Sequence, residues 1–481
     1  MNYKMVFKTI GRLLWAEAIF LCLPLMVSLY YKENLLHIYL IAIGFLMIAG
    51  TIMNLSRPET KRIYAREGFL VVSLSWILLS LFGALPFVFS GAIPSFMDAF
   101  FETVSGFTTT GATILSDVEA LPKSLLFWRS FTNWIGGMGI IVFVLALLPQ
   151  KDMQSMHILR AEVPGPTVGK IVSKTAVTAR ILYVIYGVLT VAEIISLLAC
   201  DIPLFDSVTT AFATAGTGGF SVTNSNIAEY NSLSAEIVIT LFMMLFGVNF
   251  NLFYLLIIKQ FKRIFKSEEL WVYIGIIVLS TIIITFNIYP MVESVGTALR
   301  QAGFHVVSIT TTTGFVTAEF TSWPTLSQII TMMLMFIGAC SGSTGCGIKI
   351  GRIIILAKAG IRELRRAVNP RSVRCVKLDG AVVKNETIST TCIFFLIYIL
   401  IIALSAFILA FDKFDLSTVL TAAMTCVNNL GLGFNAVGIA DNFSDMSILS
   451  KLVLCVDMLI GRLEIFPMII LFLPSTWKKS A

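Results

Sequence analysis

Charge, histidine and paired cysteine are what this 481-residue chain is short of. Charged residues make up 13% of it, where soluble domains carry about 25%, so a water-facing globular surface is excluded. His37, His157 and His305 are dispersed and the acids are scattered, which leaves no clustered base, nucleophile or metal ligands for an enzyme site. Eight cysteines stand singly at 22, 200, 340, 346, 375, 392, 426 and 455. Only Cys340 and Cys346 fall close together, and no pair has zinc or redox spacing, so small apolar packing is the expected role. The chain reads as a non-enzyme with no bound cofactor.

Apolar residues, in contrast, reach 57%, with a mean hydropathy of +0.88. They fall in runs such as Leu13–Tyr30, Leu35–Leu55, Phe69–Phe89, Ile181–Ala199, Ile237–Ile258, Leu270–Ile288 and Ile393–Phe411. Each run is long enough to cross a hydrocarbon layer of about 30 Å. The first follows Lys4, Lys8 and Arg12 without a small-x-small exit, and further spans come after it, so it is expected to be a retained helix.

The net charge of +7 sits in alternate loops, Arg57–Arg66, Lys151–Arg180, Lys259–Lys266, Lys349–Lys384 and Lys478–Lys479. That is the positive-inside pattern, which predicts both termini in the cytoplasm and membrane lipid, not nucleic acid, as the partner of the basic loops.

Between the spans, on the side poor in Lys and Arg, four segments align without a gap. They are DAFFETVSGFTTTG (Asp98–Gly111), DSVTTAFATAGTGG (Asp206–Gly219), QAGFHVVSITTTTG (Gln301–Gly314) and TVLTAAMTCVNNLG (Thr418–Gly431). Each begins as a helix too short to span and ends in a Thr/Gly-rich stretch. Such backbone is tolerated at membrane depth only inside protein or beside a water-filled cavity. The predicted fold is an all-α polytopic membrane protein with four pseudo-symmetric membrane–pore-loop–membrane repeats around a central pore. Its units are an N-terminal hairpin (1–57) and repeats at 68–149, 180–258, 270–357 and 387–474. The predicted inner helices are Leu125–Leu148, Ser234–Ile258, Thr325–Leu356 and Ser447–Leu473.

The four loops close on Thr109-Thr110-Gly111, Thr217-Gly218-Gly219, Thr312-Thr313-Gly314 and Asn429-Leu430-Gly431. Rings of backbone carbonyls from loops of this kind replace the hydration shell of K⁺, and glycine admits the backbone angles they need. Without a ring of Asp or Glu, the pattern favours a monovalent over a divalent cation.

The third inner helix is interrupted by ten small residues from Gly338 to Gly347, including Gly342 and Gly345. At about 1 kcal/mol per glycine relative to alanine, they do not sustain a helix, and the break is expected to act as an intramembrane gate. Gly342 and Gly347 have the spacing of a phosphate-binding loop, but Ile348-Lys349 replaces its Lys-Ser/Thr pair and no strand precedes it, so nucleotide binding is not expected. Arg462 lies within the last span, where a charge costs roughly 2.5–3.5 kcal/mol and usually serves function. Its bland role would be packing against Asp457 or Glu464.

With these loops, Trp128-Arg129-Ser130, Trp134 to Gly139, Ser341 to Gly345, Gly347-Ile348-Lys349 and Gly461-Arg462-Leu463-Glu464, the chain resembles the Trk/Ktr/HKT superfamily of K⁺ transporters. The N-terminal hairpin makes it similar to bacterial TrkH rather than KtrB. The resemblance implies K⁺ uptake across the bacterial cytoplasmic membrane, with K⁺ as the transported ion and Gly111 favouring K⁺ over Na⁺. It implies a gate formed by the Gly338–Lys349 segment and by Arg462 as an electrostatic barrier. It also implies a homodimer on cytoplasmic nucleotide-binding regulatory subunits of the TrkA kind. Cys346 departs from the glycine expected at its position. A K⁺ symporter coupled to Na⁺ or H⁺ is the alternative, with Glu193, Glu236 and Asp457 as relay candidates.

Overall fold

A computed structural model describes residues 2–56, 65–139, 175–292, 294–371, 374–438 and 442–474. Six of the described helices are long and apolar enough to cross a membrane, or seven if one sharply bent pair is counted as a single span. The basic loop Lys478–Lys479, nearly all of Arg57–Arg66 and Lys151–Arg180, and the end of the predicted first inner helix lie outside the described residues.

The N-terminal hairpin runs up through Tyr3–Phe20 and Cys22–Tyr30 and returns through Leu36–Asn54. Its two arms touch at Gly11 and Gly50, where either Cβ would meet the other residue's carbonyl oxygen. The first arm packs on the outer helix Ala65–Gly83.

Four times thereafter the chain repeats one plan. The outer helices are Ala65–Gly83, Thr175–Leu198, Glu268–Ile288 and Asn385–Leu409. Short helices follow at Phe96–Phe107, Leu204–Gly216, Val295–Thr310 and Leu416–Asn428. At about 1.5 Å per residue they extend roughly 18–24 Å, short of a full crossing. Ser95, Ser294 and Asp415 cap the first, third and fourth by accepting backbone N–H groups of the first turn, so each of these starts where a side-chain oxygen replaces a missing partner. The predicted class, an all-α membrane protein of four pseudo-symmetric repeats, is the observed one. The described strand content is one hairpin, Lys377–Leu378 with Ala381–Val382, whose Asp379-Gly380 turn has φ of 52° and 80°.

The inner helices correct the sequence reading. The break foreseen in the third is there, between Thr325–Phe336 and Ile350–Val368. The second, expected as one helix, divides into Leu233–Phe246 and Phe250–Ile257 at 91°. Asn249 causes the restart by accepting the N–H of Asn251 at 2.9 Å. The fourth divides into Ile448–Leu463 and Ile465–Phe472 at Glu464, whose φ is 63°. The first, Lys123–Met138, stops at Gly139 with φ of 78°. Among the described residues, the second, third and fourth inner helices are thus each interrupted, and the first ends at Met138.

Candidate functional site

Each short helix ends in the same way. Thr109, Thr217, Thr312 and Asn429 are left-handed, with φ of 55°, 53°, 58° and 53°. Their N–H groups bond back to Gly106, Thr214, Ile309 and Cys426, and the next residue's N–H reaches Ser105, Ala213, Ser308 and Thr425 at 2.8–2.9 Å. This paired closure is the Schellman cap, usually built on glycine. A β-branched threonine in that conformation costs roughly 1–3 kcal/mol, and three of the four loops carry one. The caps also leave the partial negative end of every short helix at the loops.

The loops then close on one another as a ring. A Cβ on Gly111 would strike the carbonyl oxygen of Gly218, one on Gly219 that of Thr313, one on Gly314 that of Leu430, and one on Gly431 that of Thr110. Each aligned glycine thus abuts the middle residue of the next loop, and the fourth returns to the first. Glycine is required here for room as well as for its positive φ of 66–83°. Asn429 ties the last loop to the first by donating from Nδ2 to Thr110 Oγ1 at 2.9 Å, and it bonds the Met458 carbonyl at 2.8 Å. All twelve residues expected of the filter lie in this ring.

Directly against the ring lies the segment from Ile337 to Lys349. Its ends meet where Gly338 N–H donates to Ile348 O at 2.9 Å. Cys346 N–H donates to Thr312 Oγ1 at 2.8 Å, which attaches the segment to the third loop. Its other side docks on the break of the second inner helix, through Cys340 N–H to Gly247 O at 3.1 Å and Phe250 N–H to Gly342 O at 3.0 Å. Lys349 folds back so that Nζ donates to the Gly345 carbonyl. Gly338, Gly342, Gly345, Gly347 and Lys349 are therefore together in one plug.

Arg462 joins this plug to the first repeat. Its guanidinium donates to Thr344 O at 2.9 Å, Thr109 Oγ1 at 3.4 Å, Gly137 O at 2.5 Å and the Gly136 carbonyl, and it lies 3.1 Å from Cys346 Sγ. The acids considered for packing are engaged elsewhere, Glu464 with Arg352 at 2.6 Å and Asp457 with Ser405 at 2.9 Å. The space left among Gly345, Cys346, Lys349, Gly461 and Arg462 is about 20 Å³, room for a single water molecule.

Two buried acids, Glu102 and Glu269, escaped the sequence reading as part of this architecture, and Glu464 was read only as a packing partner of Arg462. Glu269 accepts from Ser341, inside the plug, and from Gly351, just past its exit. Glu102 pairs with Arg129 at 2.5 Å and accepts from Thr113 and Ile114 just beyond the first loop. Arg129 also donates to Ser221 O at 2.7 Å, so it anchors the first two loops. Glu464 pairs with Arg352 across the plug's exit. The available signal was a charge inside an apolar run, but its partner lies 27 to 112 residues away.

The donors at the ring are carbonyl, hydroxyl and amide oxygens, and no group of three His, Cys, Asp or Glu able to hold a resident metal occurs among the described residues. Such neutral oxygens suit a weakly hydrated monovalent ion.

The sequence profile of the TrkH cation transport protein family matches residues 37–479. The Trk system potassium uptake protein TrkH of Salmonella typhimurium is 36% identical, and that of Escherichia coli K12 35%, each alignment covering 100% of both chains. The Trk system potassium uptake protein TrkI of Halomonas elongata is 28% identical over 98% of this chain and 97% of its own. The crystal structure of the potassium transporter TrkH from Vibrio parahaemolyticus superposes with a TM-score of 0.90, at 32% identity over 99% of this chain and 100% of that one. By sequence and by fold, the chain belongs to the TrkH family of cation transport proteins.

Proposed function

We propose that this chain takes up K⁺ across the bacterial cytoplasmic membrane through the four-loop ring, with the Gly338–Lys349 plug and Arg462 as its gate. Within this reading Thr109 to Gly111, Thr217 to Gly219, Thr312 to Gly314 and Asn429 to Gly431 form the selectivity filter. The units divide as 68–149, 180–258, 270–357 and 387–474, with the 1–57 hairpin outside the filter. The names of the relatives supply the ion, and the neutral oxygen donors agree with it.

The observation that carries the proposal is the closed cycle of glycine-to-carbonyl contacts among four loops at the ends of four converging short helices. A ring held that closely has one size, which suits discrimination by coordination. The small cavity beside it and the five groups around Arg462 support the reading of a shut path, in which an ion would have to displace the plug and approach a fixed positive charge. Opening would come from the cytoplasmic side, through nucleotide-binding regulatory subunits beneath a homodimer.

The test is K⁺ flux into proteoliposomes of the purified chain with Na⁺ and pH gradients set to zero. Uptake that prefers K⁺ to Na⁺ supports a gated, channel-like path. Flux that appears only with a Na⁺ or H⁺ gradient replaces it with coupled symport.

A further inference from the structure

The helix that leads out of the plug, Ile350–Val368, ends beside the first turn of the membrane-crossing helix Asn385–Leu409. Between them lies a cleft of about 700 Å³, lined on one side by Val382 of the hairpin and Val383 beyond it. Arg362, Arg366, Arg374 and Lys384 line it, and Val382, Val383 and Ile388 give it an apolar wall. Glu363 pairs with Arg362 at 2.7 Å and stands 3.9 Å from Arg366. Arg374 and Lys384 have no carboxylate partner among the described residues. From residue 349 to 384 the sequence holds ten Lys and Arg against two acids, Glu363 and Asp379, so the excess positive charge persists after pairing.

Three observations bear on what covers this cleft. Its wall is apolar where its rim is cationic, which fits an amphiphile better than a free anion. Leu364 and Val368, two positions on from each lining arginine and so on another face of the helix, are 71% and 78% exposed. An exposed apolar stripe beside arginines is the pattern of a helix lying in the headgroup layer. The cleft also opens where a span of 25 residues begins, at the level of that layer.

We propose that the cleft binds the phosphate headgroup of an anionic phospholipid of the cytoplasmic leaflet. Arg366, Arg374 and Lys384 hold the phosphate, and the Val382–Val383–Ile388 wall takes the start of the acyl chains. Because the same helix continues from Lys349, the bound lipid fixes the plug's exit and thereby sets its resistance to opening. The proposal shares with the function above the cytoplasmic placement of this loop, but its test reads lipid binding without any flux.

Native mass spectrometry of the whole chain in micelles would compare phosphatidylglycerol with phosphatidylcholine, with inorganic phosphate as competitor. Wild type is expected to retain phosphatidylglycerol preferentially. Arg366→Gln with Arg374→Gln and Lys384→Gln should weaken it about 100-fold, near fivefold for each cation, while the elution profile stays unchanged. Val382→Asn, which keeps every cation, should weaken the lipid too. Equal retention of the two lipids, or an unchanged triple variant, overturns the proposal. If inorganic phosphate displaces the lipid readily and Val382→Asn has no effect, the cleft is a free-anion site and the lipid assignment falls. A triple variant that keeps the lipid but loses an acidic protein partner makes it a docking surface instead, and equally overturns it.

Discussion

One carboxylate oxygen of Glu269 accepts both the N–H and the hydroxyl of Ser341, at 2.7 and 2.8 Å. The same atom accepts Gly351 N–H at 2.9 Å, so it clasps the middle of the plug to the helix that leaves it. Glu269 stands on the third outer helix and the plug interrupts the third inner helix, so the clasp operates within one repeat. A segment rich in glycine has many alternative conformations, and three charge-assisted hydrogen bonds select one of them.

Removing the clasp should therefore ease opening. Each hydrogen bond to a charged group contributes about 1.5–3 kcal/mol, so Glu269→Ala is expected to raise K⁺ flux in proteoliposomes roughly tenfold or more. Glu269→Gln keeps an acceptor oxygen and should fall between. Flux equal to wild type in a monodisperse Ala variant would remove Glu269 from the gate.

The ring makes a sharper demand. A Cβ at Gly219 has no space beside Thr313 O, and the atom in its way is backbone, which cannot swing aside as a side chain can. Gly219→Ala should widen or skew the ring and cut K⁺ uptake by about tenfold or more, with a larger loss of K⁺ over Na⁺ preference than of protein stability. Uptake with both ions in competition checks it. Unchanged selectivity would show that the ring tolerates displacement and is not the filter.

The ring was legible in the sequence because it is written four times, and Thr109, Thr217, Thr312 and Asn429 align without a gap. What the pattern did not show is that these residues are left-handed, since three are threonines, which avoid that conformation when unconstrained. The plug was legible from ten small residues. The other breaks were not: Gly247 to Asn249 and Glu464 each interrupt an apolar run too briefly to lower its hydropathy. Glu269–Ser341 and Arg352–Glu464 join positions 72 and 112 residues apart, and nothing local to either partner announces the other.

Arg462 has a different expected signature from Glu269. It both braces the plug and places a charge beside the ring, since it bonds Thr344 O and Thr109 Oγ1. Arg462→Ala removes brace and charge together and should speed K⁺ flux several-fold, in line with the barrier of a charge in a weakly solvated path. Arg462→Lys keeps the charge but not the five-point geometry, so it should accelerate flux less. Concentration dependence measured for both variants separates the two roles. Slower or equal flux in a well-folded Ala variant would count against the barrier.

Asp415 yields a prediction about stability and pH. It caps the fourth short helix through Thr418 N–H at 3.2 Å, and it accepts from the hydroxyls of Ser417 and Thr418 and from Asn435 Nδ2 at 2.9 Å. It thus holds the start of that helix to the loop that returns from the ring. The hydroxyl bonds, led by Ser417, keep its carboxyl below the ordinary aspartate range. A carboxyl depressed in the folded state stabilises that state fully above its unfolded value of about 4, and the contribution is lost as pH falls below it. Asp415→Ala should then cost about 1 kcal/mol at neutral pH, the usual worth of such a cap. The gap between variant and wild type should narrow on acidification, because protonation removes from wild type what the substitution has already removed. Thermal unfolding in detergent at neutral pH and near pH 3 measures both gaps. A gap that persists unchanged at the lower pH would assign the loss to packing around Asn435 rather than to the charged cap.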